Sequence, residues 1–225
     1  MESLEQVKSE IEDRFSRVEG DFALVFKSLN DTTRQIQINE REMFHAASTM
    51  KTPVMIEIFR QADEGRFSLS DSLLVKNEFQ SIVDSSRFSM DITEDSEGGL
   101  YELIGEERTI LALTKDMITR SSNLATNILI EKVGAQNVTQ TMRNYGADSI
   151  LVLRGVEDIK AYERGLSNRT TARDLRIIFQ KLGNREAVNP DASEQMIEIL
   201  KQQQFNDMIP AGCRNTWRLR TRPAG

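Results

Sequence analysis

Apolar positions in the first quarter of the chain change from helical spacing to alternation. Between Leu4 and Val18 they recur every three or four residues with charged residues between them, which predicts an amphipathic helix. The segment 21–28 is rich in apolar residues, and 34–39 alternates apolar with polar residues, as strands do. Asn30 lies in the turn between them, so we expect an antiparallel hairpin after the first helix.

The rest of the chain carries mainly helical periodicity. Polar residues dominate 66–107, where we expect short helices and loops, and the charged segment 154–169 lacks periodicity and is expected to be a long loop. Further helices are expected at about 48–65, 109–117, 122–134, 137–146, 171–183 and from 191 or 193 to 200, with a short extended piece at 150–153. The expected order of elements is one helix, two strands and then many helices, which is typical of an α+β fold.

Composition narrows the class of protein. A chain of 225 residues suits one domain with a sizeable core. The net charge of −6 argues against general nucleic-acid binding. One cysteine, Cys213, and one histidine, His45, allow neither an internal disulfide framework nor a His/Cys zinc site, so we expect no metal and no cofactor. The polar, acidic N-terminus shows no signal peptide and no segment is apolar enough to span a membrane, so as written the chain is expected in the cytoplasm.

A serine and a lysine stand three positions apart where the second helix is expected to begin. Residues i and i+3 share a helix face, so Ser48 Oγ and the Lys51 amine could share a hydrogen bond. A serine nucleophile needs such a base, because its hydroxyl attacks poorly until it loses its proton. The same spacing also fits a helix N-cap followed by a surface lysine, so the pair needs support from elsewhere in the chain.

That support comes from Ser121-Ser122-Asn123, between two apolar helices. Together with Ser48-x-x-Lys51, the helix order and the Asn-Arg-Thr-Thr-Ala stretch at 168–172, it resembles class A β-lactamases and related serine penicillin-recognising hydrolases. Their signature is S-x-x-K, then S-D-N, then K-T-G. The resemblance runs from the first helix to about residue 210. It departs from the pattern at Ser122, where the family has aspartate, although a serine can still cap the helix that follows.

The resemblance implies a β-lactamase/transpeptidase-like α+β fold and β-lactam hydrolysis through an acyl-enzyme, without a cofactor, in a monomer. Ser48 would attack the β-lactam carbonyl, and its backbone N–H would be one oxyanion donor. Lys51 would be the base or a proton relay, and Ser121 would pass a proton to the leaving ring nitrogen. Asn123 would hold the amide of the substrate side chain and the Lys51 amine.

Class A enzymes also carry a loop glutamate that activates the deacylating water. Glu157 is the candidate here and Asp158 the alternative, although the usual Glu-x-x-Leu-Asn run is absent. Both could instead be solvated carboxylates that pair with Arg154 or Lys160, and the protein would then be acylated and turn over slowly. His45, beside the nucleophile, is expected to pack or to hydrogen-bond rather than to take part in catalysis.

The third motif, Lys-Thr-Gly, occurs nowhere in the chain. Residues 213–225 hold the only tryptophan, the only cysteine and four arginines, and no acidic residue. One possible coding sequence from Gly212 onward, read one base out of frame, encodes Leu-Pro-Glu-His-Val-Ala-Val-Ala-His-Lys-Thr-Gly. We therefore expect an incomplete hydrolase domain at 1–212 and an out-of-frame basic tail at 213–225. The alternative is a genuine basic tail that binds anionic lipid or nucleic acid.

In the family, the Lys-Thr-Gly strand supplies the second oxyanion N–H and pairs, with later strands, against the N-terminal hairpin. The expected fold therefore lacks its C-terminal strands and helix, and the isolated product is expected to fold poorly, because a lone hairpin is marginal in water. Loss of one oxyanion donor typically costs ~10²–10³ in rate. Three functions follow: an impaired β-lactam hydrolase, a penicillin-binding or esterase-type relative that is acylated without efficient turnover, or an inactive fragment.

Overall fold

The computed structural model describes residues 3–207, and within them the chain is mostly helical. The helices are α1 (Leu4–Phe15), α2 (Lys51–Asp63), α3 (Ile110–Thr119), α4 (Asn123–Val133), α5 (Ala135–Asn144), α6 (Ile159–Glu163), α7 (Ala172–Gly183) and α8 (Pro190–Leu200). The strands are β1 (Leu24–Lys27), β2 (Gln35–Ile38), β3 (Phe44–His45), β4 (Ser72–Leu74), β5 (Phe79–Gln80), β6 (Arg87–Phe88), β7 (Glu107–Thr109) and β8 (Arg169–Thr170).

Helix α2 forms the centre of the core. It is buried around most of its circumference, as expected for a helix surrounded by others, and Val54, Met55, Ile56 and Ile58 have no exposed surface. Helices α3, α4, α5 and α8 pack around it. Lys51 begins α2 and is 3% exposed, so the helix carries an amine into the interior at its N-terminal end.

The hairpin predicted after the first helix is confirmed. Strands β1 and β2 pair antiparallel, with Leu24 opposite Ile38. Along β2, Ile36 and Ile38 are buried while Gln35 and Gln37 are exposed, which is the two-residue period of a half-buried strand. The buried face of the hairpin packs near α1 and α7.

Three further antiparallel pairs occur in residues 3–207 that the sequence did not predict: β3 with β8, β4 with β7, and β5 with β6. Each strand has only two or three residues, too few for alternation to stand out, so the expectation of only helices and loops at 66–107 was wrong in part. The same limit hid α6, a five-residue helix inside the segment expected to be a loop. The β3–β8 pair matters most, because it places the Ser48 turn beside the end of that segment.

Several helix boundaries follow the predicted capping residues. Thr109 and Thr171 cap α3 and α7 with their side chains, and α4 ends at Gly134, whose φ is +81°. Helix α8 begins earlier than expected, because the Asn189 side chain caps it and Pro190 occupies its first turn. The basic tail at 213–225 lies outside the described residues.

Candidate active site

Ser48 lies in a 3₁₀ turn, Ala47–Met50, that directly precedes α2, rather than inside the helix. Ala47 has a φ of +44°, in the left-handed region that residues other than glycine rarely adopt. Its N–H donates to His45 Nδ1 at 3.2 Å, and the His45 ring stands edge-on to Tyr162. His45 therefore makes the packing and hydrogen-bonding contacts expected of it, and the turn exposes Ser48 to solvent.

The Lys51 amine is surrounded by oxygen acceptors. It donates to the Ser121 carbonyl at 2.7 Å, to Ser121 Oγ at 2.9 Å and to Asn123 Oδ1 at 2.9 Å. Burial lowers the pKa of the Lys51 amine from 10.5 to about 8, against the opposing effect of the negative charges of Asp95 and Glu157. An amine with this pKa is partly neutral near pH 7 and can therefore accept a proton.

Ser121 lies between the Ser48 hydroxyl and the Lys51 amine. Its Oγ donates to Ser48 Oγ at 3.0 Å and accepts from Lys51. The direct hydrogen bond expected between Ser48 and Lys51 is not among the bonds in residues 3–207, so that expectation was wrong. It was wrong because Ser48 precedes α2 in a tighter turn, while the lysine side chain extends across to the α3–α4 junction. Ser121 is held there with a φ of +57°.

Asn123, the first residue of α4, connects the amine to a carboxylate. Its Oδ1 accepts from Lys51, and its Nδ2 donates to Glu157 Oε1 at 2.9 Å. The other Glu157 oxygen accepts the Asp91 N–H at a long 3.4 Å. Burial raises the pKa of the Glu157 carboxyl above its ordinary 4.5, opposed by the hydrogen bonds from Asn123 and Asp91.

The backbone beside Glu157 is clamped by one amide side chain. Asn127 Oδ1 accepts the Val156 N–H at 2.7 Å, and Asn127 Nδ2 donates to the Val156 carbonyl at 3.0 Å. A Cβ on the neighbouring Gly155 would lie 2.0 Å from Asn127 Oδ1, so only glycine allows this approach. Glu157 itself has a φ of +61°, which turns its side chain out of the extended course of the loop.

A second asparagine closes the base of the loop at 154–168. Asn168 Oδ1 accepts the N–H groups of Leu153 and Arg154, at 2.9 and 3.2 Å, and its Nδ2 donates to the Arg154 carbonyl at 2.9 Å. Burial lowers the pKa of the Arg154 guanidinium, which donates to the carbonyls of Leu166 and Gly155. The loop is therefore closed by amide hydrogen bonds.

Asp158, the alternative to Glu157, has its carboxylate engaged by other parts of the fold. It is 3% exposed, and its carboxylate accepts from Ser81 Oγ, the Ile82 N–H and the Ala161 N–H at 2.9 to 3.1 Å. Lys160 pairs with Asp84 instead of either candidate. The structure therefore brings Glu157, not Asp158, to Asn123, and makes Asp158 the cap of α6 and an anchor to the β5–β6 hairpin.

The position that departs from the family motif still caps its helix. Ser122 is fully buried, and its Oγ accepts the Ala125 N–H at 3.2 Å. Asn127, Asn168 and Asp95 also contribute to the site, and none of them was predicted from the sequence. Asn127 lies four residues after Asn123, on the same face of α4, and that spacing was a usable signal. Asp95 lies in a polar segment where nothing in the sequence distinguishes it from its neighbours.

A comparison with protein families identifies the chain. A family model for the beta-lactamase enzyme family matches residues 6–222. The chain belongs to the beta-lactamase enzyme family.

Solved structures agree with this assignment in fold. A β-lactamase from Sphaerobacter thermophilus DSM 20745 is 22% identical, with a TM-score of 0.72, and the match covers 88% of this chain and 69% of that one. A mutant of the last common ancestor of Gram-negative bacteria class A β-lactamase is 19% identical, with a TM-score of 0.77 over 93% of this chain and 75% of that one. The chain therefore has the expected β-lactamase-like fold, mostly helical with small sheets.

A third structure is PBP-A, as a mutant in an acyl-enzyme complex with penicillin G. It is 25% identical, with a TM-score of 0.75, and the match covers 93% of this chain and 73% of that one. No curated protein matches the sequence. Residues 3–207 of this β-lactamase family chain hold no group of three His, Cys, Asp or Glu side chains suited to a metal. In the same range no helix has both the length and the apolar character needed to cross a membrane.

A cavity of about 270 Å³ lies between the Ser48 turn and the loop that carries Glu157. Its lining combines apolar residues with three charged side chains, Arg154, Glu157 and Asp158. The cavity therefore offers space beside both the Ser48 turn and the Glu157 carboxylate, in which a small ligand could bind.

Proposed function

We propose that this β-lactamase family chain hydrolyses β-lactams through an acyl-enzyme at Ser48. The observation that supports it best is one hydrogen-bonded series, Ser48 to Ser121 to Lys51 to Asn123 to Glu157. In this series Ser121 connects the Ser48 hydroxyl to the Lys51 amine. The Asn123 amide then connects Lys51 to the Glu157 carboxylate. Acyl transfer needs the first base to form the ester and the second to hydrolyse it.

In acylation, the neutral Lys51 amine is the proton acceptor. With a pKa of about 8, about one tenth of the amine is neutral at pH 7. The Ser48 proton passes to Ser121 Oγ and the Ser121 proton to Lys51, while Ser48 Oγ bonds to the β-lactam carbonyl carbon. When the tetrahedral intermediate collapses, the carbonyl C–N bond breaks, Ser121 gives a proton to the ring nitrogen, and the Lys51 ammonium returns a proton to Ser121 Oγ.

In deacylation, the Glu157 carboxylate takes a proton from a water molecule, whose oxygen bonds to the ester carbonyl carbon. The C–O bond to Ser48 then breaks, and the proton held by Glu157 is returned to Ser48 Oγ, which restores both groups. The raised pKa makes Glu157 a stronger base than an exposed glutamate. Its long contact to the Asp91 N–H leaves Oε2 with capacity for a water, whereas Asn123 fixes Oε1.

The test is the mass of the protein after it meets benzylpenicillin. We expect an adduct on Ser48 that forms and then disappears, together with sustained nitrocefin hydrolysis, and no adduct in Ser48→Ala. An adduct on any other residue, or none in a folded protein, would contradict the proposal.

A second candidate function is a penicillin binder that is acylated without efficient turnover. It is favoured by the likeness to PBP-A, whose mutant was solved as an acyl-enzyme complex with penicillin G. Nitrocefin separates the two candidates, because a binder gives one burst stoichiometric with enzyme and a hydrolase continues to turn over.

We also propose that 1–212 is an incomplete hydrolase domain and that 213–225 is out of frame, which would impair activity. The alternative-frame reading that restores Lys-Thr-Gly supports this. Restoring one missing donor would raise the acylation rate by ~10²–10³. Gene sequence that gives no Lys-Thr-Gly in either alternative frame would overturn it.

A further inference from the structure

A carboxylate outside the motifs is directed at the first turn of α4. Asp95 Oδ1 and Oδ2 accept the Asn123 N–H at 2.9 and 3.0 Å, and Oδ2 also accepts the Leu124 N–H at 2.9 Å. The Tyr101 hydroxyl donates to the same oxygen at 3.1 Å. Asp95 is half-buried, and it lies on the loop that leads from the 3₁₀ turn Ile92–Glu94 to the next, Gly99–Leu103.

These contacts complete the capping of α4. The first N–H groups of a helix have no partner within it, and the helix N-terminus favours a negative charge. Ser122 takes only the Ala125 N–H with its side chain, and the two preceding N–H groups go to Asp95. Ser122 occupies the position where the family motif has aspartate, and Asp95 supplies a carboxylate to the same helix N-terminus from another loop.

We propose that Asp95 is a positioning residue for β-lactam acylation, which holds the backbone of Asn123 so that its side-chain amide stays between Lys51 and Glu157. The inference rests on the proposed function. Asp95 acts through Asn123, since its hydrogen-bond partners in residues 3–207 are the first turn of α4, Tyr101 and the N–H of Glu97.

The charge of Asp95 has a second effect at the amine. Asp95 and Glu157 are the carboxylates that face Lys51, and both raise its pKa against the lowering caused by burial. Burial and the neighbouring Asp95 raise the pKa of the Tyr101 hydroxyl, so Tyr101 stays neutral throughout the useful pH range. Removing the Asp95 charge should therefore lower the Lys51 pKa further.

The experiment compares the full chain with Asp95→Asn. The amide offers an N–H where the backbone N–H groups need an acceptor, so Asn123 shifts, and a 1 Å misplacement costs up to ~10²-fold in rate. We expect acylation by benzylpenicillin to slow ~10- to 100-fold. The matched control is Glu97→Gln, on the same loop, whose carboxylate accepts from Arg120 and the Gly99 N–H instead. It should stay within ~3-fold of the unsubstituted chain, because the Glu97 carboxylate bonds neither Asn123 nor Lys51.

A purely structural role would lower the melting temperature and leave the Lys51 titration unchanged. Lysine ε-methylene resonances, with the Lys51 signal assigned by its loss in Lys51→Arg, report that titration without any substrate. A lower Lys51 midpoint in Asp95→Asn, with slower acylation of folded protein, supports the proposal. An unchanged midpoint together with an acylation rate within ~3-fold overturns it.

If Asp95→Asn does not fold, Asp95→Glu carries the test, because it keeps the charge but displaces the carboxylate by one methylene. Slower acylation with an unchanged Lys51 midpoint supports the proposal, and an unchanged rate overturns it. Failure of the proposed β-lactam hydrolysis gives a different result from failure of the Asp95 proposal. In that case the unsubstituted chain forms no Ser48 adduct, while the titration midpoint of Lys51 still shifts in Asp95→Asn.

Discussion

Two loops bring a carboxylate to Asn123, and the two carboxylates are bound in different ways. Asp95 accepts two backbone N–H groups of α4 and a tyrosine hydroxyl, so its oxygens are committed to structure. Glu157 has one good partner, the Asn123 amide, and one long contact at 3.4 Å. Burial also raises the pKa of Glu157, which makes it a stronger base than an exposed glutamate. A carboxylate therefore serves as a fixed cap in one loop and, in the proposed mechanism, as an available base in the other.

The largest expected effect separates the two loops by chemistry. Glu157→Gln keeps the hydrogen bond from Asn123 but removes the base, so deacylation should slow ~10²–10⁴-fold while acylation changes far less. Intact mass should then show a persistent adduct on Ser48. Glu163→Gln, at an exposed carboxylate on α6, is the control and should clear its adduct at the original rate. Sustained turnover by Glu157→Gln would refute the base assignment.

Adding a methyl group to each loop should give unequal results. Gly155→Ala places a Cβ 2.0 Å from Asn127 Oδ1, which forces the clamp off Val156 and displaces Glu157. Deacylation should slow ~10²-fold, as expected for a shift of about 1 Å. Gly98→Ala, near Asp95, meets only Ile92 at 3.7 Å and should change little. Equal rates in the two variants, measured by nitrocefin turnover, would disprove the clamp.

The pH dependence of acylation tests what the two carboxylates do together. The base is the neutral amine, so the rate should rise about tenfold per pH unit below the Lys51 pKa of about 8 and level off above it. Because both carboxylates raise that pKa, Glu157→Gln should move the midpoint lower, as Asp95→Asn does. Stopped-flow acylation from pH 6 to 10 measures it, and a rate independent of pH would exclude Lys51 as the base.

For the free energy of unfolding, we expect Asp95 to matter more than Glu157, the reverse of their order in deacylation. Asp95→Ala removes charged hydrogen bonds to α4 and should cost about 1.5–3 kcal/mol, whereas Glu157→Ala should cost less than about 1 kcal/mol. Because the pKa of Glu157 is raised in the folded state, the stability that its neutral form provides is lost as the pH rises above 4.5. The free energy of unfolding of Glu157→Gln, relative to that of the unsubstituted chain, should therefore be higher at pH 7 than at pH 4. Urea unfolding at both pH values checks this, and a larger loss for Glu157→Ala would reverse the comparison.

The sequence predicted what depends on periodicity and on adjacent residues. The hairpin, the long helices and the caps Thr109 and Thr171 are of this kind, as are Ser48, Lys51 and Ser121, which occur in short motifs. It did not predict strands of two or three residues, because their pairing partners lie far along the chain. The route from Ser48 to Lys51 through Ser121 also depends on a 3₁₀ turn that the i, i+3 spacing does not reveal.

Asp95 shows the same limit within the site. It reaches α4 across 28 residues of chain, and only the folded arrangement of its loop brings it to Asn123. A single sequence can therefore indicate candidate reactive residues in short motifs, but the contacts that hold them come from segments with no periodic signal. Asn127 is intermediate, since its helical spacing from Asn123 was visible and its partner on the loop was not.

The central claim is that Ser48 is acylated and that Glu157, not Asp95, clears the acyl group. A time course of intact mass with benzylpenicillin tests it on the unsubstituted chain, Glu157→Gln and Asp95→Asn in parallel. We expect an adduct that forms and decays in the unsubstituted chain, one that forms and persists in Glu157→Gln, and one that forms slowly and then decays in Asp95→Asn. Decay in Glu157→Gln at the rate of the unsubstituted chain, or no Ser48 adduct in the folded protein, would contradict it.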